Sequence, residues 1–283
     1  MPRTLLAFHA HPDDESSKGG GTVARYSDAG VRTVLVTATG GEAGDILNPA
    51  ADSPEARADI GAVRRGELME ATDILGYDDV IMLGYRDSGM PDTPPNSHPD
   101  AFVNADSEAV LERLVAIVRS ERPQVLLGYD DHEWYPHPDH LKIHELSRPL
   151  FEAAADPDRF PDAGEPWQAS RLYAPTRTIE RLQLIHDAML ERGIPSPYGE
   201  FLEALDREEA ASPIAARVDV GDYIERARAA LAAHRTQVAP DGPWFAVPSD
   251  LVRAVYPYED FELLASRVAE DEMVTDLFSG IES

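Results

Sequence analysis

Two rhythms of apolar and polar positions alternate along the first half of the chain. Residues 4–9 (TLLAFH) and 31–38 form short runs in which almost every position is apolar or β-branched, and 79–84 and 124–129 repeat the pattern. Runs of this length predict strands buried on both faces. Between them the spacing lengthens to that of helices. A glycine-rich turn leads into a short helix at 22–29. Ile60, Val63, Leu68, Ala71 and Leu75 recur at helical intervals within 57–75, and Val110, Leu111, Leu114, Val115 and Val118 mark one face of a second long helix. Alternating strands and helices with fully apolar strands predict an α/β fold, a Rossmann-like and mostly parallel sheet flanked by helices.

Beyond residue 152 the pattern loosens. A Pro/Asp-rich connection at 155–168 precedes an expected strand at 171–175, and helices are expected over 179–192, 218–234 and 261–268. The expected organisation is a catalytic core over residues 1–155 and a smaller C-terminal lobe over 156–283, packed together as one integrated domain. Three long, polar, Gly/Pro-rich stretches (39–54, 85–105 and 130–139) each follow a strand. They are therefore expected at the carboxyl edge of the sheet, where open α/β sheets bind ligands.

Charge narrows the range of partners. With 25 basic and 52 acidic residues the 283-residue chain carries −27, a field that repels phosphate backbones and anionic membrane surfaces. Nucleic-acid and membrane partners are accordingly not expected. The absence of cysteine excludes disulfides, thiolate metal sites and cysteine nucleophiles. No apolar run reaches the length of a membrane span, and the N-terminal stretch is too short for a signal peptide. The expectation is a soluble, cytoplasmic protein with a small-molecule partner.

Chemistry concentrates in two motifs. Ala10-His11-Pro12-Asp13-Asp14-Glu15 follows the first strand, and Tyr135-Pro136-His137-Pro138-Asp139-His140 follows the fourth. A parallel sheet brings the two together across one crevice. His11 and Asp14, three residues apart, can hold one ion from a turn, and His140 at the start of a helix supplies a third ligand. Two imidazoles and a carboxylate with open positions suit one catalytic Zn2+ per chain. Asp13 then stands beside the ion as general base, and His137 and Tyr135 face a tetrahedral intermediate. Asp139 is read as orienting or tuning His137. Lys18, four residues after Asp14, would share a helix face with it and overhang the crevice. His9 and His144 read more simply as packing or surface residues, and His132 as a loop residue.

The pair AHPDDE and PHPDH resembles the LmbE-like (PIG-L) zinc-dependent N-deacetylases, which cleave amides on glucosaminyl groups. Further stretches resemble the mycothiol S-conjugate amidases within that family. They are His11 to Gly19, Thr39-Gly40-Gly41-Glu42 with Gly44-Asp45-Ile46-Leu47-Asn48-Pro49, Asp87-Ser88-Gly89-Met90-Pro91, Ala233-His234-Arg235-Thr236-Gln237 and Trp244-Phe245-Ala246-Val247-Pro248. The resemblance implies zinc at His11, Asp14 and His140 with Asp13 as base, and oxyanion and leaving-group assistance from His137 and Tyr135. It implies substrate contacts at Lys18, Arg64, Asp87, Glu42 and His234, with Arg64 and Asp87 holding sugar hydroxyls. The implied substrate is a mycothiol S-conjugate, cut to a mercapturic acid and glucosaminyl-inositol in thiol-conjugate detoxification or a biosynthetic pathway. Residues 131–134 and Arg235 are bulkier than the amidase pattern leads one to expect.

Three other readings use the same residues. A deacetylase of N-acetylglucosaminyl-inositol would need the same metal apparatus. A non-haem iron oxygenase also uses two histidines and a carboxylate, but that reading normally goes with a jelly roll and leaves Asp13 without a task. A sugar-binding protein with a structural metal would need a fourth protein ligand.

Overall fold

The computed structural model describes residues 2–130, 135–204, 214–269 and 273–281. Its strands are β1 (Thr4–His9), β2 (Arg32–Thr39), β3 (Asp79–Tyr85), β4 (Val125–Leu127), β5 (Arg171–Thr176), β6 (Ala216–Asp219) and β7 (Tyr258–Ser266). They form a single sheet in the order β3-β2-β1-β4-β5-β7-β6. The first five pair in parallel, and β7 runs antiparallel to β5 on one side and β6 on the other. The helices are α1 (Asp14–Ser17), α2 (Gly20–Asp28), α3 (Pro54–Ala58), α4 (Ile60–Leu75), α5 (Ser107–Glu121), α6 (Pro138–Ala155), α7 (Ile179–Glu191), α8 (Gly199–Ala204), α9 (Ile224–Ala233) and α10 (Ser249–Val255). None among the described residues is long and apolar enough to cross a membrane.

The apolar runs become central strands because both of their faces are covered. Leu6, Phe8, Val34, Val36 and Leu126 join one core with Val110, Leu114 and Val118 of α5 and Ile143, Leu146 and Leu150 of α6. The alternate positions Leu5, Ala7, Leu35, Val125 and Leu127 join a second core with Val23 of α2, Leu68, Ala71 and Leu75 of α4, and Ala230 and Ala233 of α9. Burying each such aliphatic side chain stabilises the fold by about 1.5–3 kcal/mol. A satellite cluster ties α7 to α10 through Ile185, Met189, Val247 and Leu251.

The expected helix over 57–75 is two helices. Ser53 caps α3 with Pro54 behind it, and Asp59 restarts the chain by accepting the Ala62 N–H at 2.9 Å. Two expectations in the C-terminal third are corrected. Residues 216–219 are strand β6, so the helix expected from 218 begins only at Ile224. The expected helix at 261–268 lies largely in β7, a strand. Its helical look has a physical cause. The register of β7 on β5 slips between Leu263 and Ala265, so Phe261 and Leu263 face one core while Leu264 and Ala265 face the other. A bulge of this kind breaks the two-residue alternation that marks a strand.

Candidate metal centre

The strand order reverses between β1 and β4, and in a doubly wound sheet ligands bind at that switch, outside the carboxyl ends of the strands. β1 runs out at His9 into the His11 turn. Thr39, at the end of β2, holds that turn by donating its N–H and its hydroxyl to the Ala10 carbonyl, both at 3.0 Å. From the other side α6 starts at Pro138 with His137 as its cap.

His11, Asp14 and His140 meet here, all buried. His11 Nδ1 lies 3.2 Å from His140 Nε2 and 3.6 Å from Asp14 Oδ2, and His140 Nε2 lies 3.4 Å from Asp14 Oδ2. Tetrahedral zinc with bonds of about 2.0–2.1 Å separates its ligand atoms by about 3.3 Å, so the donor triangle fits one ion of that size. Asp14 Oδ2 also accepts the His11 N–H at 2.9 Å, which closes the turn on itself. Charge agrees with a cation at this point. Burial opposes a charge on His11, yet Asp87, Asp139 and Asp14 together raise its pKa well above the usual imidazole value. Burial lowers His140 to about 4, leaving it neutral as a ligand must be. Asp14, despite burial, is held well below the usual carboxylate range by His140 and His11.

Behind His11 stands a ring of acceptors. Its Nε2 donates to Asp139 Oδ2 at 3.1 Å and lies 3.6 Å from Asp87 Oδ1. With the proton on Nε2, Nδ1 presents its lone pair to the triangle. Ser88 fixes Asp139 through its N–H at 3.0 Å and through its hydroxyl. The Asp139 carboxylate thus orients His11, while its charge favours the protonated form of His137 and so tunes that ring. The Asp139 backbone N–H donates to His137 Nδ1 at 3.2 Å.

Asp13 sits next to the triangle in the left-handed region, with φ 113°. Arg64 of α4 donates to its Oδ2 at 3.0 Å, to the Pro12 carbonyl at 2.6 Å and to the Gly41 carbonyl at 2.6 Å. Gly41 has to be glycine: its φ is +70°, and a Cβ there would lie 2.1 Å from Arg64 Nη1. Burial pushes the Asp13 carboxyl up to about 6 against the opposing pull of Arg64. Arg64, expected among the substrate contacts, is buried and directed at these protein acceptors.

On the opposite side His137 is buried and lowered to about 4 by burial and by His11. It is neutral, and because Nδ1 accepts from the helix N-terminus, Nε2 carries the hydrogen. Tyr135 is half exposed and stacks on His137 with ring centroids 6.0 Å apart. Lys18 does not share a helix face with Asp14, because α1 ends at Ser17 and Lys18 is its C-cap. Its ammonium instead lies 5.1 Å from the centre of the Tyr129 ring, which in turn packs edge-on against His140 at 5.0 Å.

The remaining expected contacts divide. Asp87 is buried between His11 and His137, and despite that burial His11 and the Gly89 N–H hold its carboxyl far below the usual range. Glu42 is exposed and accepts the Asp87 N–H at 3.1 Å. His234 cannot touch substrate: it is fully buried, and its Nε2 donates to Glu15 Oε1 at 2.6 Å. His9 donates to or accepts from the Tyr129 hydroxyl at 2.9 Å, and His144 Nδ1 lies 3.0 Å from the Tyr129 carbonyl. Residues 131–134, His132 among them, lie outside the described residues. The sequence reading assigned no role to Ser88, Tyr129 or Glu67. Ser88 and Glu15 lie inside the Asp87–Pro91 and Ala10–Glu15 motifs, while Tyr129 reads only as the end of a strand.

A parallel-sheet crevice that brings a buried His/Asp/His triangle together with a carboxylate and a neutral histidine defines a hydrolase of the de-N-acetylase kind. The chain belongs to the GlcNAc-PI de-N-acetylase (PIG-L) family, whose model matches residues 6–151. It is 40% identical over 284 residues to the mycothiol S-conjugate amidase of Streptomyces coelicolor, covering 98% of this chain and 97% of that protein. It is 39% identical over 291 residues to the 1D-myo-inositol 2-acetamido-2-deoxy-alpha-D-glucopyranoside deacetylase of Geodermatophilus obscurus, covering 99% and 98%. The solved N,N'-diacetylchitobiose deacetylase from Pyrococcus horikoshii superposes with a TM-score of 0.63 over 93% of this chain and 84% of that one. At 21% identity, that likeness shows the fold. The family and these relatives make the protein an amide-hydrolysing deacetylase or amidase.

Proposed function

We propose that the protein is a zinc-dependent amidase of mycothiol S-conjugates, releasing a mercapturic acid and glucosaminyl-inositol. The observation that carries the amide chemistry is the triangle of 3.2, 3.4 and 3.6 Å between His11, His140 and Asp14, with Asp13 beside it. Held by these three residues, zinc would act as a Lewis acid toward the amide carbonyl and lower the pKa of water. Asp13 takes the proton of the attacking water, its carboxylate fixed by Arg64. His137, neutral and carrying hydrogen on Nε2, donates to the oxygen of the tetrahedral carbon, with the Tyr135 hydroxyl beside it. The proton on Asp13 then passes to the departing amine. On this reading Asp87 and Glu42 contact the sugar, and Lys18 faces the acyl side of the scissile bond.

Removal of acetate from N-acetylglucosaminyl-inositol is the second reading, favoured by the near-equal identity to the deacetylase. Both substrates share the amine side and differ in the acyl group. The test is a side-by-side assay of the zinc-loaded protein with a bimane-labelled mycothiol conjugate and with N-acetylglucosaminyl-inositol. A higher kcat/KM for mercapturate release supports the amidase, and a higher value for acetate release replaces it by the deacetylase. Activity that persists after complete chelation would remove the metal from the mechanism.

A further inference from the structure

Glu15 and His234 are both fully buried and stand outside the triangle. Their ion pair is short, at 2.6 Å, and it joins residues 219 positions apart. A buried ion pair is by itself weak evidence of a stabilising role, because the cost of removing both charges from water offsets most of their attraction. What the pair holds is more informative. The second Glu15 oxygen accepts the Asp13 N–H at 2.9 Å, and the Ser16 hydroxyl donates to the first at 2.5 Å. Asp13 is the residue whose backbone occupies the left-handed region, at φ 113°. A non-glycine residue stays there only when its surroundings over-determine it.

His234 is itself tightly placed. It ends α9, and its carbonyl accepts the N–H groups of Gln237 and Val238, both at 2.9 Å. Two residues on, Thr236 donates its N–H and hydroxyl to Glu67 at 2.9 and 2.7 Å. Glu67 lies on α4 one turn from Arg64, which grips the Asp13 carboxylate. The Thr236 carbonyl accepts the Leu47 N–H at 2.8 Å, and Gln237 reaches the Asp45 carbonyl at 3.1 Å. Residues 234–237 therefore touch α1, α4 and the loop after β2 at once.

We propose that Glu15 and His234 are positioning residues for Asp13: His234 fixes the Glu15 carboxylate, and Glu15 fixes the Asp13 backbone in the conformation from which its side chain works. The proposal rests on the reading of Asp13 as the base.

The test is a double-mutant cycle on the zinc-loaded enzyme, with kcat, KM, metal content and thermal unfolding measured for each variant. Glu15→Ala and His234→Ala are expected to lower kcat on the order of 10- to 100-fold, the scale of a slightly misplaced catalytic group, with KM and zinc stoichiometry close to wild type. Glu15→Gln keeps an oxygen for the Asp13 N–H, and His234→Gln keeps a donor for Glu15; both should recover most of the rate. In an Asp13→Asn background the Glu15→Ala loss should disappear, since there is no base left to position. Losses that multiply, or a raised KM with kcat intact, would overturn the positioning role while leaving Asp13 as base. Wild-type turnover in Asp13→Asn alone would overturn the base assignment and the proposal with it. If the alanine variants do not fold, His234→Leu, which keeps the bulk of the ring but removes the donor to Glu15, carries the same cycle.

Discussion

Asp13 carries the opposing forces of the site on one carboxyl group. Burial outweighs Arg64 and pushes its pKa up to about 6. A base must be deprotonated, so kcat/KM should fall as pH drops through this limb; a bound cation at the triangle draws the limb to lower pH. Arg64→Met removes a charge that favours the carboxylate and should move the limb upward, which a pH profile of the two enzymes reads directly. Asp13→Asn should keep its zinc and lose about 10²- to 10⁴-fold in kcat. His140→Ala and Asp14→Ala should lose most of their zinc, because two remaining donors make a poor site. Near-stoichiometric zinc by elemental analysis in either would contradict the ligand set. Lys18→Ser tests the acyl side: it should lower kcat/KM for the conjugate more than for N-acetylglucosaminyl-inositol. Equal losses would make Lys18 a general support of the site through Tyr129. At this scale the triangle was legible because its residues stand in two short motifs. The grip of Arg64 on Asp13 was not, since 51 positions separate them and a lone arginine on a helix face gives no sign of its partner.

Among the elements, α5 and α6 show how one side chain can finish two others. Arg119 of α5 is buried and donates to six carbonyls, those of Ala153, Ala154, Asp156, Arg159, Phe160 and Gly164. It satisfies the last turn of α6 and the following bend, where Phe160 takes a left-handed φ of 49°. A cation at a helix C-terminus is favourable, and orphaned buried carbonyls are costly. Arg119→Met should therefore destabilise the fold by about 3 kcal/mol or more in a denaturant titration, and Arg119→Lys should recover only part of it, because an ammonium cannot span six acceptors. The elements that sequence made legible are those with two covered faces, such as β1 and β2, or one clean stripe, such as α5. β7 was hidden by its bulge, and β6 by its length of four residues. Neither failure lies in propensity; both follow from pairing partners that a local window cannot see.

For the whole molecule, the charge is −27, and the crevice holds four of its carboxylates, Asp13, Asp14, Asp87 and Asp139, within reach of three histidines. A divalent cation bound only by the folded state raises its stability by mass action. Zinc should raise Tm in a concentration-dependent way, His140→Ala should abolish the rise, and added salt should weaken apparent zinc affinity by screening the long-range field. The strand order has another consequence, one of timing. β6 is made before β7, its only strand partner among the described residues, and 38 residues separate the end of one from the start of the other. At roughly 5–20 residues per second a ribosome leaves β6 waiting for a few seconds, with β5 exposing an open edge beside the place β7 will fill. A longer delay applies to His234, which follows the turn that it grips by 219 residues. The nascent chain can thus build its central parallel strands early, while the His11–Glu15 turn stays unfinished until His234 has been made and the edge until β7 has.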